Sequence, residues 1–173
     1  MIASMAVGRC AECGFDPAGL RPGSVGDEVG RWVAECARLV AGAADGALRA
    51  PAAGLAWSPL DYVGHLRDVL ALFAARVRLV LTADGPELPV VDHDEAVRAG
   101  AYRGADPRDL TDDLLGRANE LRAVLAAVRG PEWDRIGYRA GQERSVLEIA
   151  QRAAHEARHH TGDVARSLRE SAC

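Results

Sequence analysis

The stretch WSPLDYVGHLRDVL, residues 57–70, decides the fold. Ser58 stands where a helix N-cap belongs, Pro59 takes the first helical position, and Asp61 follows three residues after the cap. A serine oxygen accepts from a free backbone N–H of the first turn, and proline has no N–H to leave unsatisfied there. An acidic side chain at the third position reaches back to the N–H of the cap. From this start Leu60, Val63, Leu66, Leu70, Phe73 and Val77 recur at the period of a helix with one apolar stripe. The helix is expected to end near TADGP, residues 82–86. His65 lies beside the stripe, near Val69.

Three other segments carry the same period. Upstream, Val29, Trp32, Val33, Cys36, Leu39 and Val40 predict a helix over roughly 25–48, broken by the Pro and Gly of LRAPAAGLAW. Downstream, Asp106 and Pro107 open a third helix, Leu110, Leu114, Leu121 and Leu125 mark its buried side, and Gly130 closes it. Ser145 and Glu148 form a capping box for a fourth helix that runs to about residue 169. The link 83–105, which carries VDHDEAV and the start of AYRGADP, is long enough to cross one end of a bundle and cover a site there. PEWDRIGYRAGQER reads as a turn-rich link, and no strand pattern, repeat or low-complexity tract stands out. The expected fold is all-α: a four-helix bundle over 24–173, preceded by an irregular lead over 1–23.

Bulk properties agree. A chain of 173 residues builds one domain with a real core. Aromatics make up only 5% and alanine is abundant, which suits close-packed helices better than sheets. A net charge of −4 with no basic stripe argues against a nucleic-acid partner. All 21 basic residues are arginine, a bias of GC-rich genomes that suggests an actinobacterial host. The opening MIASMAVGRC lacks a long apolar core, and no run approaches the ~18 apolar residues of a membrane span, so a cytoplasmic address is expected.

The cysteines are Cys10, Cys13, Cys36 and Cys173, and the first two form CAEC. In a cytosolic protein such a pair suggests a metal knuckle or a redox couple. A complete zinc site needs a second such pair, and none follows. A reduced pair in a short N-terminal hook is the plainer reading.

Histidines cluster in AHEARHHTGD, residues 154–163. On a helical wheel Val146, Ala150, Ala153, Ala157, Val164 and Leu168 define the buried stripe of the fourth helix. His160 lies at the border of that stripe, one turn after Glu156. His155 and His159 form a second pair at the same spacing, projecting with Glu148 and Arg166 toward the outer face. Residues four apart stand above one another, so either pair can hold one cation. Packing direction favours Glu156 and His160; ligand type favours His155 and His159, since two imidazoles suit zinc or nickel. A third ligand must come from another helix, where His65 is the other helical histidine.

WSPLDYVGHLRDV followed far downstream by HEARHHTGDV resembles the DinB-like superfamily, which includes mycothiol-dependent maleylpyruvate isomerases and bacillithiol S-transferases. The link VDHDEAV…AY and the lead CAECGFD resemble an actinobacterial branch of it. The resemblance implies up-down-down-up connectivity and one divalent metal, zinc or nickel. The metal would be held by a histidine of helix two, matched by His65, and an i,i+4 pair of helix four, matched by Glu156 and His160. Three protein ligands leave positions open, the mark of a catalytic centre. The implied activity is S-transfer or isomerisation of a small electrophile with a mycothiol-type thiol as cosubstrate, thiol ionisation being promoted by the metal. Metal-dependent hydrolysis, and a non-catalytic bundle that binds a small molecule or forms a homodimer, are the alternatives. Arg67 and Arg152 are candidates to orient an anionic substrate. Asp68 and Asp163 are candidate partners for a ligating imidazole. His93 is placed to enter from the link, and Tyr102 reads as packing.

Overall fold

A computed structural model of the chain describes residues 8–92 and 94–170. His93 and Cys173 lie outside the described residues.

Helix α1 (Val25–Ala41) buries Val25, Val29, Val33, Cys36 and Val40 along one stripe. The helix expected to continue to residue 48 instead stops at Gly42, its C-cap, and resumes as the short α2 (Asp45–Arg49). The break turns Leu48 into the core, 2% exposed. Arg49 then donates to the backbone carbonyls of Arg103 and Ala105 at 2.8 and 3.2 Å, which ties α2 to a distant link.

Helix α3 (Pro59–Thr82) begins as its sequence demands. The Ser58 hydroxyl oxygen accepts from the N–H of Asp61 at 3.2 Å, and the Asp61 carboxylate accepts from the N–H of Ser58 at 3.0 Å. The link that follows contains the single turn α4 (Glu95–Arg98). Helix α5 (Pro107–Ala127) starts with the Asp106 carboxylate accepting from the N–H groups of Arg108 and Asp109. It ends before the expected Gly130, because Val128 is already extended and buries its side chain. Gly130 opens a 3₁₀ turn, Gly130–Asp134, that seats Trp133 in the core.

The segment read as a plain link holds a β-hairpin, β1 (Ile136–Arg139) with β2 (Gln142–Ser145), antiparallel and in register Arg139↔Gln142. Ala140 and Gly141 turn it with φ of 51° and 74°, the left-handed pair that fits a two-residue hairpin. Tyr138 bonds through its backbone to Pro86 and Leu88, so the hairpin clamps the chain leaving α3. Helix α6 (Val146–Glu170) starts with the expected reciprocal bonds between Ser145 and Glu148.

Each of α1 and α3 packs on both α5 and α6. Arg67 pairs with Asp113 and Arg78 with Glu120, so α3 and α5 run the same way. Arg122, late in α5, reaches Asp27, early in α1, so those two oppose. The start of α3 meets the later half of α6, where the ring of Tyr62 lies 5.7 Å from that of His160. Its end is tied to the start of α6 through Arg135, whose side chain donates to the Val80 and Ala83 carbonyls while its carbonyl accepts from Val146. The four long helices therefore form an up-down-down-up bundle.

The described part of the lead folds back over α6. Phe15 is 2% exposed and its ring lies 5.2 Å from that of His155. The Gln151 amide donates to the carbonyls of Pro17 and Leu20, each at 3.1 Å. The face of α6 that carries His155 and His159 points away from the bundle, as the wheel predicts, but the lead covers it and it is not an outer surface.

Candidate metal centre

α3 and α6 cross where His65 faces Glu156 and His160. One donor atom of each of the three lies within 4.8 Å of the other two. His65 is 5% exposed, held in the second turn of α3 by the strong N-terminal cap just before it. Glu156 and His160 stand one turn apart on α6, where i,i+4 side chains stack. The rings of His65 and His160 meet edge to face with centroids 4.8 Å apart.

The surroundings favour positive charge. His160 Nε2 lies 3.2 Å from Glu156 Oε2, and His160 Nδ1 lies 3.0 Å from Asp163 Oδ2. Burial opposes charge on this imidazole, but the two carboxylates outweigh it and hold the His160 pKa up at about 9. Burial likewise opposes charge on Glu156, and there the hydrogen bond and charge of His160, with Arg152, win and hold its pKa well below the usual carboxylate range. The second Glu156 oxygen accepts from Arg152 Nε at 2.7 Å. Two imidazoles and one carboxylate on facing helices, with another carboxylate behind, form a donor set that suits a divalent cation.

Asp163 is 7% exposed, accepts from His160 and pairs with Arg166 at 2.6 Å. Asp68 instead accepts from the Tyr102 hydroxyl and from Arg67, which also reaches Asp113. Arg152 contacts the ligand candidate Glu156 itself. The Tyr102 ring lies flat on the backbone of Gly64, beside His65, and anchors the long link to the start of α3. Trp57, absent from the sequence candidates, covers the cluster, its ring 4.9 Å from His65 and 6.3 Å from His160. Its only sequence signal is its place one residue before the N-cap of α3. His155 and His159 group not with His65 but with Cys10 and Cys13.

The fold and the cluster define an all-α protein with an up-down-down-up bundle and a buried His–Glu–His group between its second and fourth long helices. Residues 32–164 match the model of the DinB superfamily, and the chain belongs to that superfamily. No curated protein matches it. Among solved structures it is similar to YfiT from Bacillus subtilis, a probable metal-dependent hydrolase with an unusual four-helix bundle topology. That match has a TM-score of 0.80 and 18% identity over 87% of each chain. It is also similar to the mycothiol-dependent maleylpyruvate isomerase, with a TM-score of 0.71 and 12% identity. An H52A mutant of that isomerase matches with the same TM-score and 10% identity. Both isomerase matches cover 87% of this chain and 63% of the longer isomerase chain. At these identities the likeness is one of fold. Among the described residues no helix is long and apolar enough to cross a membrane.

Proposed function

We propose that this chain is a divalent-metal-dependent enzyme in which His65, Glu156 and His160 hold the ion, zinc or nickel. Its reaction is attack by a low-molecular-weight thiol of the mycothiol type on a small electrophile, as transfer or isomerisation. The observation that carries the reading is the convergence of these three donors, from two helices, within 4.8 Å. The chemistry such an ion supplies is acidification of a small ligand, so that a thiol or a water becomes nucleophilic near neutral pH.

The chain's own residues do the rest. Asp163, acceptor-only when ionised, keeps a proton on His160 Nδ1 and so directs Nε2 toward Glu156 and His65. Glu156 contributes a negative charge that a third imidazole would not, which moderates the acidifying power of the centre. Arg152 steadies that carboxylate through its other oxygen. Trp57 and Tyr62 shield the imidazoles from bulk water with aromatic rings.

A second reading is metal-dependent hydrolysis, the activity given as probable for the similarly folded YfiT. One experiment separates the two. The purified protein is assayed on a panel of small electrophiles with and without low-molecular-weight thiols, before and after chelation. Thiol-dependent turnover lost on chelation and in His65→Ala supports the transferase reading. Thiol-independent, metal-dependent turnover of esters or amides supports hydrolysis. Absence of any metal from the wild-type protein overturns both.

A further inference from the structure

Behind the first cluster, on the adjacent face of α6, stands a second group of donors. Cys10, Cys13, His155 and His159 each offer one ligand atom, and these atoms all lie within 4.8 Å of one another. We propose that they bind a structural zinc ion, distinct from the His65–Glu156–His160 centre, that pins the N-terminal lead to α6.

The spacing is that of a zinc site. Cys10 and Cys13 are separated by two residues and His155 and His159 by three, within the ranges that place paired ligands on a knuckle and on one helical face. Ligand atoms around a tetrahedral zinc, with Zn–S of about 2.3 Å and Zn–N of about 2.0 Å, lie roughly 3.3–3.8 Å apart. Cys10 Sγ already lies 3.7 Å from His159 Nδ1.

The cysteine loop is built as a knuckle. Its chain reverses through bonds from Gly14 N–H to the Cys10 carbonyl and from Cys10 N–H to the Phe15 carbonyl. Gly14 makes the reversal possible with φ of +67°, a conformation other residues rarely adopt.

Independent support comes from His155. Both its ring nitrogens are sealed from solvent, and neither has a hydrogen-bond partner. A buried polar group left unsatisfied is costly, and native structures rarely keep one without a reason. A metal–nitrogen bond supplies the reason for one of the two. His159 is oriented from behind: with Nδ1 toward Cys10, its Nε2 faces Glu12 at 3.4 Å and Asp163 at 3.6 Å, the carboxylate support that ligating imidazoles usually have.

Binding releases the two thiol protons to solvent, and two thiolates with two neutral imidazoles leave the zinc site uncharged, which suits its half-buried position. All four positions are filled by protein, so this centre is structural. The three histidines of α6 are thereby explained: the consecutive i,i+4 pairs His155/His159 and Glu156/His160 on one helix serve two sites, about 100° apart.

The test uses the full-length protein, metal-free and reloaded with cobalt(II). The wild type and His65→Ala are expected to show a thiolate-to-cobalt charge-transfer band with tetrahedral ligand-field bands. Cys10→Ser/Cys13→Ser is expected to lose the band and one of two metal equivalents while keeping the other. Should the double variant fail to fold, His155→Ala and the wild-type spectrum decide, together with chelator-dependent exposure of two thiols. Absence of the charge-transfer band from folded wild-type protein overturns the proposal. So does a Cys10–Cys13 disulfide that persists after reduction and metal addition, or a second metal equivalent retained without the cysteines. Loss of metal in His65→Ala with the cobalt–thiolate band intact bears on the first centre alone, so the two readings fail separately.

Discussion

Oδ2 of Asp163 sits 3.0 Å from Nδ1 of His160 and decides which ring nitrogen faces the interior. The same oxygen lies 3.6 Å from Nε2 of His159, so one carboxylate stands behind a histidine of each cluster. Asp163→Asn keeps the shape but replaces a full negative charge with an amide that can present its N–H to His160. The imidazole then loses its fixed tautomer. The expected result is a fold intact by circular dichroism and metal binding weakened about 10- to 100-fold in chelator competition. Unchanged affinity would remove Asp163 from the site.

Cys36 offers a test of the core and a control for thiol counting. It is 1% exposed, and burial pushes its thiol up to about 12 from an ordinary 9, since the apolar interior disfavours the thiolate. The folded protein should therefore leave Cys36 unreactive toward a thiol reagent at pH 8 to 9 and release it on denaturation. The sign for stability follows. The raised pKa costs nothing below the unfolded value and lowers stability as pH climbs from 9 toward 12. Rapid labelling of Cys36 in the native state would contradict the packing described.

The cap of α3 is expected to carry measurable weight. The Ser58 side chain satisfies the N–H of Asp61 and also donates to its carboxylate at 2.7 Å, in a buried setting. Ser58→Ala should cost about 1–2 kcal/mol in urea denaturation. A cost near zero would mean that Pro59 and packing alone start the helix.

That cap was legible because it is local: four consecutive residues state it. The up-down-down-up bundle was legible for a related reason, since each long helix carries its own stripe. The hairpin was not. IGYR and QERS show no apolar alternation, and their pairing depends on Tyr138 docking against Pro86 and Leu88, some fifty residues earlier. The break at Gly42 is not legible in the sequence, because Leu48 stays on a helical period but is buried by a turn of the chain. The His65, Glu156 and His160 trio could be read from an i,i+4 pair on a stripe border and one histidine on a facing helix. The cysteine–histidine group could not, because a wheel sees one helix. Cys10 and His159 stand 149 residues apart, and only the folding back of the lead turns an outward face of α6 into a covered one.

Gly64 should be the least replaceable glycine near the candidate centre. A Cβ built there falls 2.3 to 2.6 Å from three ring atoms of Tyr102, a buried side chain with no flexible end to swing aside. Gly64→Ala must push the ring off α3, which breaks its bond to Asp68 and loosens the link it anchors next to His65. Overpacking of this kind costs about 1–3 kcal/mol or more. Gly162 is the control. It lies within α6, is exposed, and has open space around a built Cβ, so Gly162→Ala gains helix propensity with no clash. A rise of about 0.5–1 kcal/mol is expected. Paired denaturation curves should move in opposite directions, and Gly64→Ala should also weaken metal retention where Gly162→Ala does not. Equal, small shifts in both would mean that Tyr102 does not rest on α3 in solution.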